Sequence, residues 1–498
     1  MSRWSTPLTL VLALSACHAT PQVRLKPDAT TAAPPALSVL SHGIDAIVAD
    51  PALAHGYWGV VVRSLKNDET LYSLNARKLM LPASNMKIVT LAAAAERLGW
   101  NHTYDTWVFG TGPIAAGVLG GDLLVVGSGD PGIGTIDDMS DRLFADWADR
   151  LKSAGIRTIA GRVIGDDNAF DDDDLGFGWS WDDLQDDYAA GISALQFNEN
   201  MARVTVGPGP AAGTSAAVSI APAYSGLAID SAVTTVAAGT TASVDVRRLP
   251  GSATLALRGT VALGAAPRVL TVSVDNPTLF FVNSLRAALI ANGIDVRGPA
   301  VDVDDLPSAP PHPGTPPLIA YTSPRLSVLA MRLMKISQNQ CAETFLKTVG
   351  AAAGTPTAAA GRAAVQTTLE AWGVQPADLI QRDGSGLSRY DYVTPEALAT
   401  ILVHIKRDDR LRGPFETSLP IAGRDGGLAN RMKGTPADGN ARAKTGSMTS
   451  VRGLSGYVTT ADGEPLVFSI LANNFDAPPA TVTRAMDALV VRLAQFKR

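Results

Sequence analysis

Apolar residues recur at helical spacing over residues 36–48, where Leu37, Leu40, Ile44 and Ile47 share a face. That spacing predicts a helix. Residues 56–64 (GYWGVVVRS) and 70–73 are β-branched and aromatic, and Lys66, Asn67, Asp68 and Glu69 lie between them. They predict a hairpin. Pro82 precedes a helical run over 84–98. Residues 102–130 read as β-rich, 140–155 as helix, and 201–275 as short strands broken by Gly and Pro turns. A helix is expected over 276–292. Residues 306–317 hold six prolines and predict a linker. Beyond it the pattern is mostly helical from 324 to about 406, including runs at 326–335 and 342–349. Three strands follow at 441–446, 453–459 and 465–473. A last helix places Val482, Met486, Leu489 and Leu493 on one face. The two ends of the chain are therefore expected to complete one sheet, with the middle inserted into it.

Composition narrows the class. The 498 residues are 46% hydrophobic and 18% charged, which fits a folded chain and excludes a disordered or polytopic one. At roughly 150 residues per domain, the length suggests about three domains. The net charge of −5 argues against a nucleic-acid binder. Cys17 and Cys341 are too few for a disulfide framework. No two of the six histidines have the spacing of a zinc-binding helix pair, and no GxSxG elbow is present. No metal and no cofactor are expected. A hydrolase of this composition must activate its nucleophile without histidine.

The first residues read as an address. Arg3 precedes a short apolar stretch at 8–14, and Leu14-Ser15-Ala16-Cys17 has the form of a bacterial lipobox. Residues 1–16 are thus expected to be a signal peptide, Cys17 an acylation site and 17–37 a tether. An ordinary signal peptide cut after Ala19 is the plainer reading. Either one exports the chain. With the lipid anchor it would be a periplasmic protein held on a membrane. His18 after the cysteine favours the outer membrane in a Gram-negative cell.

Three short motifs carry chemistry. Ser84-Asn85-Met86-Lys87 is the only SxxK in the chain. At i and i+3 on a helix the two side chains are neighbours. A lysine there can take the serine proton, provided burial keeps it neutral when needed. Ser337-Gln338-Asn339 falls between two helical runs, where a loop could aim a hydroxyl and an amide into a cleft. Lys444-Thr445-Gly446 is the only KTG and sits on an expected strand. Gly446 permits close approach of a ligand. Taken singly, each motif reads as readily as a cap, a turn or a solvated strand.

SxxK, SxN and KTG in this order resemble the serine penicillin-recognising enzymes. Flanking residues narrow the resemblance. They are Leu81-Pro82-Ala83-Ser84, Ala342-Glu343, Asp383-Gly384-Ser385-Gly386-Leu387-Ser388-Arg389, 419–423 (LPIAG) and 431–435 (RMKGT). Gly121-Asp122-Leu123, Gly129-Asp130-Pro131 and 195–200 (LQFNEN) match as well. Over about residues 38–498 the chain is similar to the class C low-molecular-mass penicillin-binding proteins, which are D-alanyl-D-alanine carboxypeptidase/endopeptidases. The resemblance implies an α/β (α+β) transpeptidase fold of the penicillin-binding-protein/β-lactamase type, an antiparallel sheet flanked by helices. It also implies two nested, largely β inserted domains in the long gap between Ser84 and Ser337. The expected segments are catalytic at 38–103 and 312–498, a first insert at 104–131 and 201–311, and a second insert at 132–200.

The same resemblance implies residue roles. Ser84 is the nucleophile and Lys87 its general base. Ser337 carries the proton toward the leaving amine. Asn339 holds Lys87 and a substrate amide. Lys444 adds positive field that helps keep Lys87 neutral, and with Thr445 it binds the terminal carboxylate. The N–H groups of Ser84 and Ser447 form the oxyanion hole, and the substrate lies along the strand that carries Gly446. Asp166, Arg389, Met448 and Thr449 would bind the free end of a diaminopimelate side chain, with Asp167 as the neighbouring alternative to Asp166. The implied partners are peptidoglycan stem peptides, β-lactams and, through the lipid, a membrane. The sequence specifies no oligomeric state.

Two rival readings remain. One is a β-lactamase or esterase of the same superfamily, disfavoured by the long insert and the lack of a deacylation glutamate loop. The other is a catalytically weak cell-wall-binding lipoprotein, disfavoured by the intact motif residues. Gly127, Gly129 and Gly132 match GxGxxG, but Pro131 interrupts the turn, so no dinucleotide is expected. The run Asp171 to Asp174 lacks the spacing of a calcium loop. Cys341 reads as a small buried residue.

Overall fold

In a computed structural model of the chain, residues 35–134 and 140–498 are described. The expected signal peptide, Cys17 and most of the tether lie outside the described residues. One five-stranded antiparallel sheet joins the two ends of the chain. Its order is Thr70–Leu74, Tyr57–Ser64, Pro465–Asn473, Val451–Thr459 and Arg442–Met448. Tyr57 pairs with Asn473 and Ser64 with Leu466, so the N-terminal hairpin lies against the penultimate element of the chain.

Side-chain alternation explains why helices cover both faces of this sheet. Val60, Val62, Phe468 and Ile470 point into one core, shared with Leu40 and Ile44 of helix Pro35–Val48 and Met486 and Leu489 of helix Pro479–Gln495. Tyr457, Val467 and Leu471 point into another. That second core is built with helix Met86–Leu98, helix Asn339–Ala352 and helix Pro395–Arg407. Cys341 is 1% exposed within it, as the sequence suggests.

The strand pairing regroups the middle of the chain. Val163–Asp166 pairs parallel with Leu123–Gly127 and with Ala300–Asp302 in a second five-stranded sheet. Asp105–Gly110 and Ile319–Thr322 complete that sheet. Val163–Asp166, within the expected second insert at 132–200, thus shares a sheet with Leu123–Gly127, within the expected first insert at 104–131. The ladders of the strands from Met201 to Ser273 run among themselves, with one further bridge from Val272 to Asp186, and their apolar faces share a core with Val108 and Leu123. Ile319–Thr322, beyond the expected boundary at 311, pairs with Asp105–Gly110 in the same sheet. The physical reason is that parallel pairing joins segments distant in sequence, whose short apolar runs look alike. Among the described residues no helix is long and apolar enough to cross a membrane.

Candidate active site

The turn that carries Ser84 departs slightly from the expected helix. Ala83–Asn85 is a 3₁₀ turn, and the α-helix proper begins at Met86. Ala83 has a φ of 45°, a left-handed conformation that no regular helix accommodates. Lys87 lies in the first turn of the α-helix and is fully buried. Its Nζ is 2.9 Å from Ser84 Oγ.

Strand Arg442–Met448, at the edge of the sheet, runs directly against this turn. A Cβ at Gly446 would lie 2.6 Å from the Pro82 carbonyl oxygen and 3.2 Å from the Ser84 nitrogen. Glycine is thus required there by close approach of the protein's own backbone. The motif Ser337-Gln338-Asn339 is shaped by an irregular helix. Leu326–Met331 continues into a π-helical turn at Arg332–Ile336, and Ser337 ends it at φ 65°. Such turns recur at functional sites. Asn339 opens the next helix, Asn339–Ala352.

Lys87 has three acceptors. Its Nζ donates to Asn339 Oδ1 at 2.6 Å and to the Ser385 carbonyl at 2.9 Å, besides facing Ser84 Oγ. In the neutral amine two N–H bonds go to Asn339 and Ser385, and the lone pair is left pointing at the Ser84 hydroxyl. Asn339 Nδ2 in turn donates to the carbonyl oxygen of Tyr188, at 2.7 Å. That side of the amide, expected to meet substrate, is therefore turned to the insert. Lys444 Nζ donates to Ser337 Oγ at 2.8 Å and to the Thr445 carbonyl at 2.9 Å.

Burial sets the protonation of both lysines. It pushes Lys87 down to about 8, against the pull of Asp383 and Glu343, which favour its charged form. Burial, followed by the charge of Lys87, holds Lys444 well below the ordinary lysine range. Desolvation is thus the first cause for each, and repulsion from Lys87 adds to it at Lys444.

Behind Lys87 lies a group of buried carboxyls, Glu343, Asp383 and Asp391. Burial and the charge of Asp383 raise Glu343 and Asp391 above the usual carboxylate range. Asp383 accepts the N–H groups of Gly386 and Ser388, at 2.7 and 2.6 Å. Glu343 and Asp383 carry no expected role in the sequence beyond their part in the resemblance, and Asp391 has none.

In front of Ser84 is a cleft of about 450 Å³, lined by Ser84, Ser337, Asn339, Thr445, Ser447, Met448, Thr449 and Arg389, with Asp183 and Tyr188 from the insert. Lys87, Lys444 and Gly446 form its buried base through the contacts above. Asp166 is not part of it. Its carboxylate is buried at the end of strand Val163–Asp166 and accepts from the Asn168 nitrogen at 3.1 Å and Nδ2 at 2.9 Å. His312 Nε2 lies 2.8 Å from its other oxygen. Asp167 is likewise engaged elsewhere, with Ser193 and Thr278. The acid that faces the cleft is Asp183, which accepts from the Tyr188 hydroxyl at 2.9 Å. Burial raises its carboxyl, and Arg389 opposes the rise. Its signal in the sequence was slight, one aspartate among many between 171 and 187.

The acidic run at 171–174 has a structural use. Lys347 Nζ, 3% exposed along its side chain, meets the Asp171 carboxylate at 2.6 Å and the carbonyls of Asp171 and Asp173 at 3.0 and 2.7 Å. The loop is thereby fastened to helix Asn339–Ala352.

Comparison with known proteins gives the family. The profile of the D-Ala-D-Ala carboxypeptidase 3 (S13) family matches residues 40–496. A D-alanyl-D-alanine carboxypeptidase of Actinomadura sp. (strain R39) is 36% identical over 473 residues, 92% of this chain and 85% of that one. The D-alanyl-D-alanine carboxypeptidase DacB of Haemophilus influenzae is 27% identical, over 84% of this chain and 85% of its own. The crystal structure of penicillin-binding protein 4 (dacB) from Haemophilus influenzae superposes with a TM-score of 0.80 at 25% identity, covering 92% of this chain and 99% of that one.

Proposed function

This chain belongs to the D-Ala-D-Ala carboxypeptidase 3 (S13) family and is a serine-type D-Ala-D-Ala carboxypeptidase; from that premise we propose how its cleft carries the reaction. The neutral amine of Lys87 takes the proton of Ser84 as Ser84 Oγ attacks the carbonyl carbon of the penultimate D-alanine. The backbone N–H groups of Ser84 and Ser447 meet the developing oxyanion. The proton passes through Ser337 Oγ to the leaving nitrogen, the C–N bond breaks, and the terminal D-alanine departs. Water then attacks the acyl ester, gives its proton to Lys87, and Ser84 is restored. Lys444 and Thr445 hold the terminal carboxylate. A β-lactam acylates Ser84 by the same attack, its ring amide standing for the peptide bond.

The observation that carries this reading is the coordination of Lys87. Its two acceptors other than Ser84, Asn339 at 2.6 Å and Ser385 at 2.9 Å, leave the lone pair aimed at Ser84. The substrate is a peptidoglycan stem peptide, either a free pentapeptide or a cross-link, which gives carboxypeptidase and endopeptidase turnover from one acyl-enzyme. Asp183 and Arg389, opposite charges in one cleft, suit the amine and carboxylate of a diamino-acid side chain, with Met448 and Thr449 beside them. This assigns to Asp183 the part first expected of Asp166. The strand pairing supports an outer inserted unit from about 104 to 322 with an inner one at 201–273. The chain is exported, anchored through acylated Cys17 and, in a Gram-negative cell, held on the periplasmic face of the outer membrane.

Defined muropeptides and a fluorescent penicillin test the reading. Release of D-alanine and covalent label at Ser84 are expected, and both vanish in Ser84→Ala. Label that survives this substitution puts the nucleophile elsewhere. Cys17→Ser should move the exported chain to the soluble fraction, and retention on the membrane would mean another anchor.

A further inference from the structure

The carboxyls behind Lys87 have no part in the reaction as written. Glu343 lies four residues after Asn339 on helix Asn339–Ala352, so the two side chains share a helix face. Asn339 reaches Lys87 directly. Glu343 reaches it through the backbone: one carboxylate oxygen accepts the Gly384 N–H at 2.7 Å and the other the Ser385 N–H at 2.8 Å. The carbonyl of that same Ser385 accepts from Lys87 at 2.9 Å. One helix therefore aims both of the groups that orient the amine.

The turn is also held from the insert. Asp383 Oδ2 accepts the indole N–H of Trp179 at 2.9 Å and the Ser388 N–H at 2.6 Å, while Oδ1 accepts from Gly386 at 2.7 Å. Asp391 Oδ1 takes the Arg382 N–H at 2.5 Å and closes the entry to the turn. Displacement of the Ser385 carbonyl would leave Lys87 free to rotate its lone pair away from Ser84.

We propose that Glu343 is a positioning residue for Lys87, clamping the Gly384–Ser385 backbone so that the Ser385 carbonyl orients the amine, with Trp179 securing the same turn through Asp383. The inference rests on Lys87 acting as the base for Ser84. In Glu343→Gln the new NH₂ cannot accept a backbone N–H, so one arm of the clamp is lost together with the charge. In Trp179→Phe an aromatic ring and every charge remain, and the indole N–H is lost with its five-membered ring.

The experiment is the rate constant for acylation of the full chain by a fluorescent penicillin, measured from pH 5.5 to 9.5. Acylation of the wild-type chain at Ser84 tests the functional reading, and the variants test this inference. For Glu343→Gln the plateau rate should fall by about 10- to 100-fold, the scale set by misplacing a reacting group. Its acidic limb should move to lower pH only to the extent that Glu343 is ionised there, since burial raises its carboxyl. For Trp179→Phe the plateau should fall severalfold with the limb unmoved. The inference is overturned if both variants acylate at the wild-type rate with the wild-type limb. It is equally overturned if only the fraction of labelled protein falls, which is the sign of a merely structural role. Should Glu343→Gln fail to fold, Trp179→Phe decides alone.

Discussion

The side-chain nitrogen of Asn339 donates to the carbonyl oxygen of Tyr188 over 2.7 Å, and this bond turns the amide oxygen of Asn339 onto Lys87 at 2.6 Å. A residue of the insert thus fixes which way a motif amide faces. Asn339→Asp keeps the shape, removes the donor to Tyr188 and places a carboxylate beside the amine. An adjacent negative charge favours charged Lys87 and raises its pKa by about 1–3 units. The acidic limb of acylation should move up accordingly, and the rate at pH 7 should fall at least about tenfold. A pH profile that matches the wild type would contradict this.

For the unaltered chain, burial pushes Lys87 down to about 8. The base works only when neutral, and the neutral fraction grows as pH rises through that value. Acylation by penicillin should therefore climb with pH and reach half its plateau near pH 8. A rate independent of pH between 6 and 9.5 would remove Lys87 from the base role.

Gly446→Ala brings a methyl group to 2.6 Å from the Pro82 carbonyl oxygen. Something must shift, and the nearest movable element is the turn that carries Ser84. A loss of about 1–3 kcal/mol in stability is expected from such crowding. Acylation should fall about 100-fold, because displacement by an ångström is enough to do so. Thermal unfolding and labelling rates measure the two effects separately.

Asp183→Asn should raise KM for peptides that present the free end of a diamino acid, and leave peptides lacking that amine nearly unchanged. Asp166→Asn should alter neither KM, since its carboxylate is buried against Asn168 and His312, outside the cleft. Steady-state hydrolysis of the paired substrates checks both.

The contrast between these two aspartates shows where sequence reasoning stops. Ser84 and Lys87 were legible because a spacing of three puts both on one side of a helical turn, whether 3₁₀ or α. The strand around Gly446 and the terminal helix with Val482 and Met486 were legible for the same local reason. Asp166 and Asp183 differ only in where the chain carries them, and no spacing records that path. The clamp on Lys87 was hidden more deeply. It runs through the carbonyls of Ser385 and Tyr188, and every residue type has a carbonyl. The regrouping of Val163–Asp166 with Leu123–Gly127 escaped notice because parallel partners need not be neighbours in sequence.

The place of strand Pro465–Asn473 at the centre of the catalytic sheet has a consequence for biosynthesis. Strand Tyr57–Ser64 emerges early, yet the strand that covers its open edge is made only in the last tenth of translation. Until then the hairpin offers unpaired N–H and C=O groups to any other extended chain. No partial product that stops before residue 465 can assemble the sheet. Such a chain gains by folding once, after release. C-terminal deletions should consequently yield insoluble protein rather than a weakened enzyme, even when every motif residue is retained.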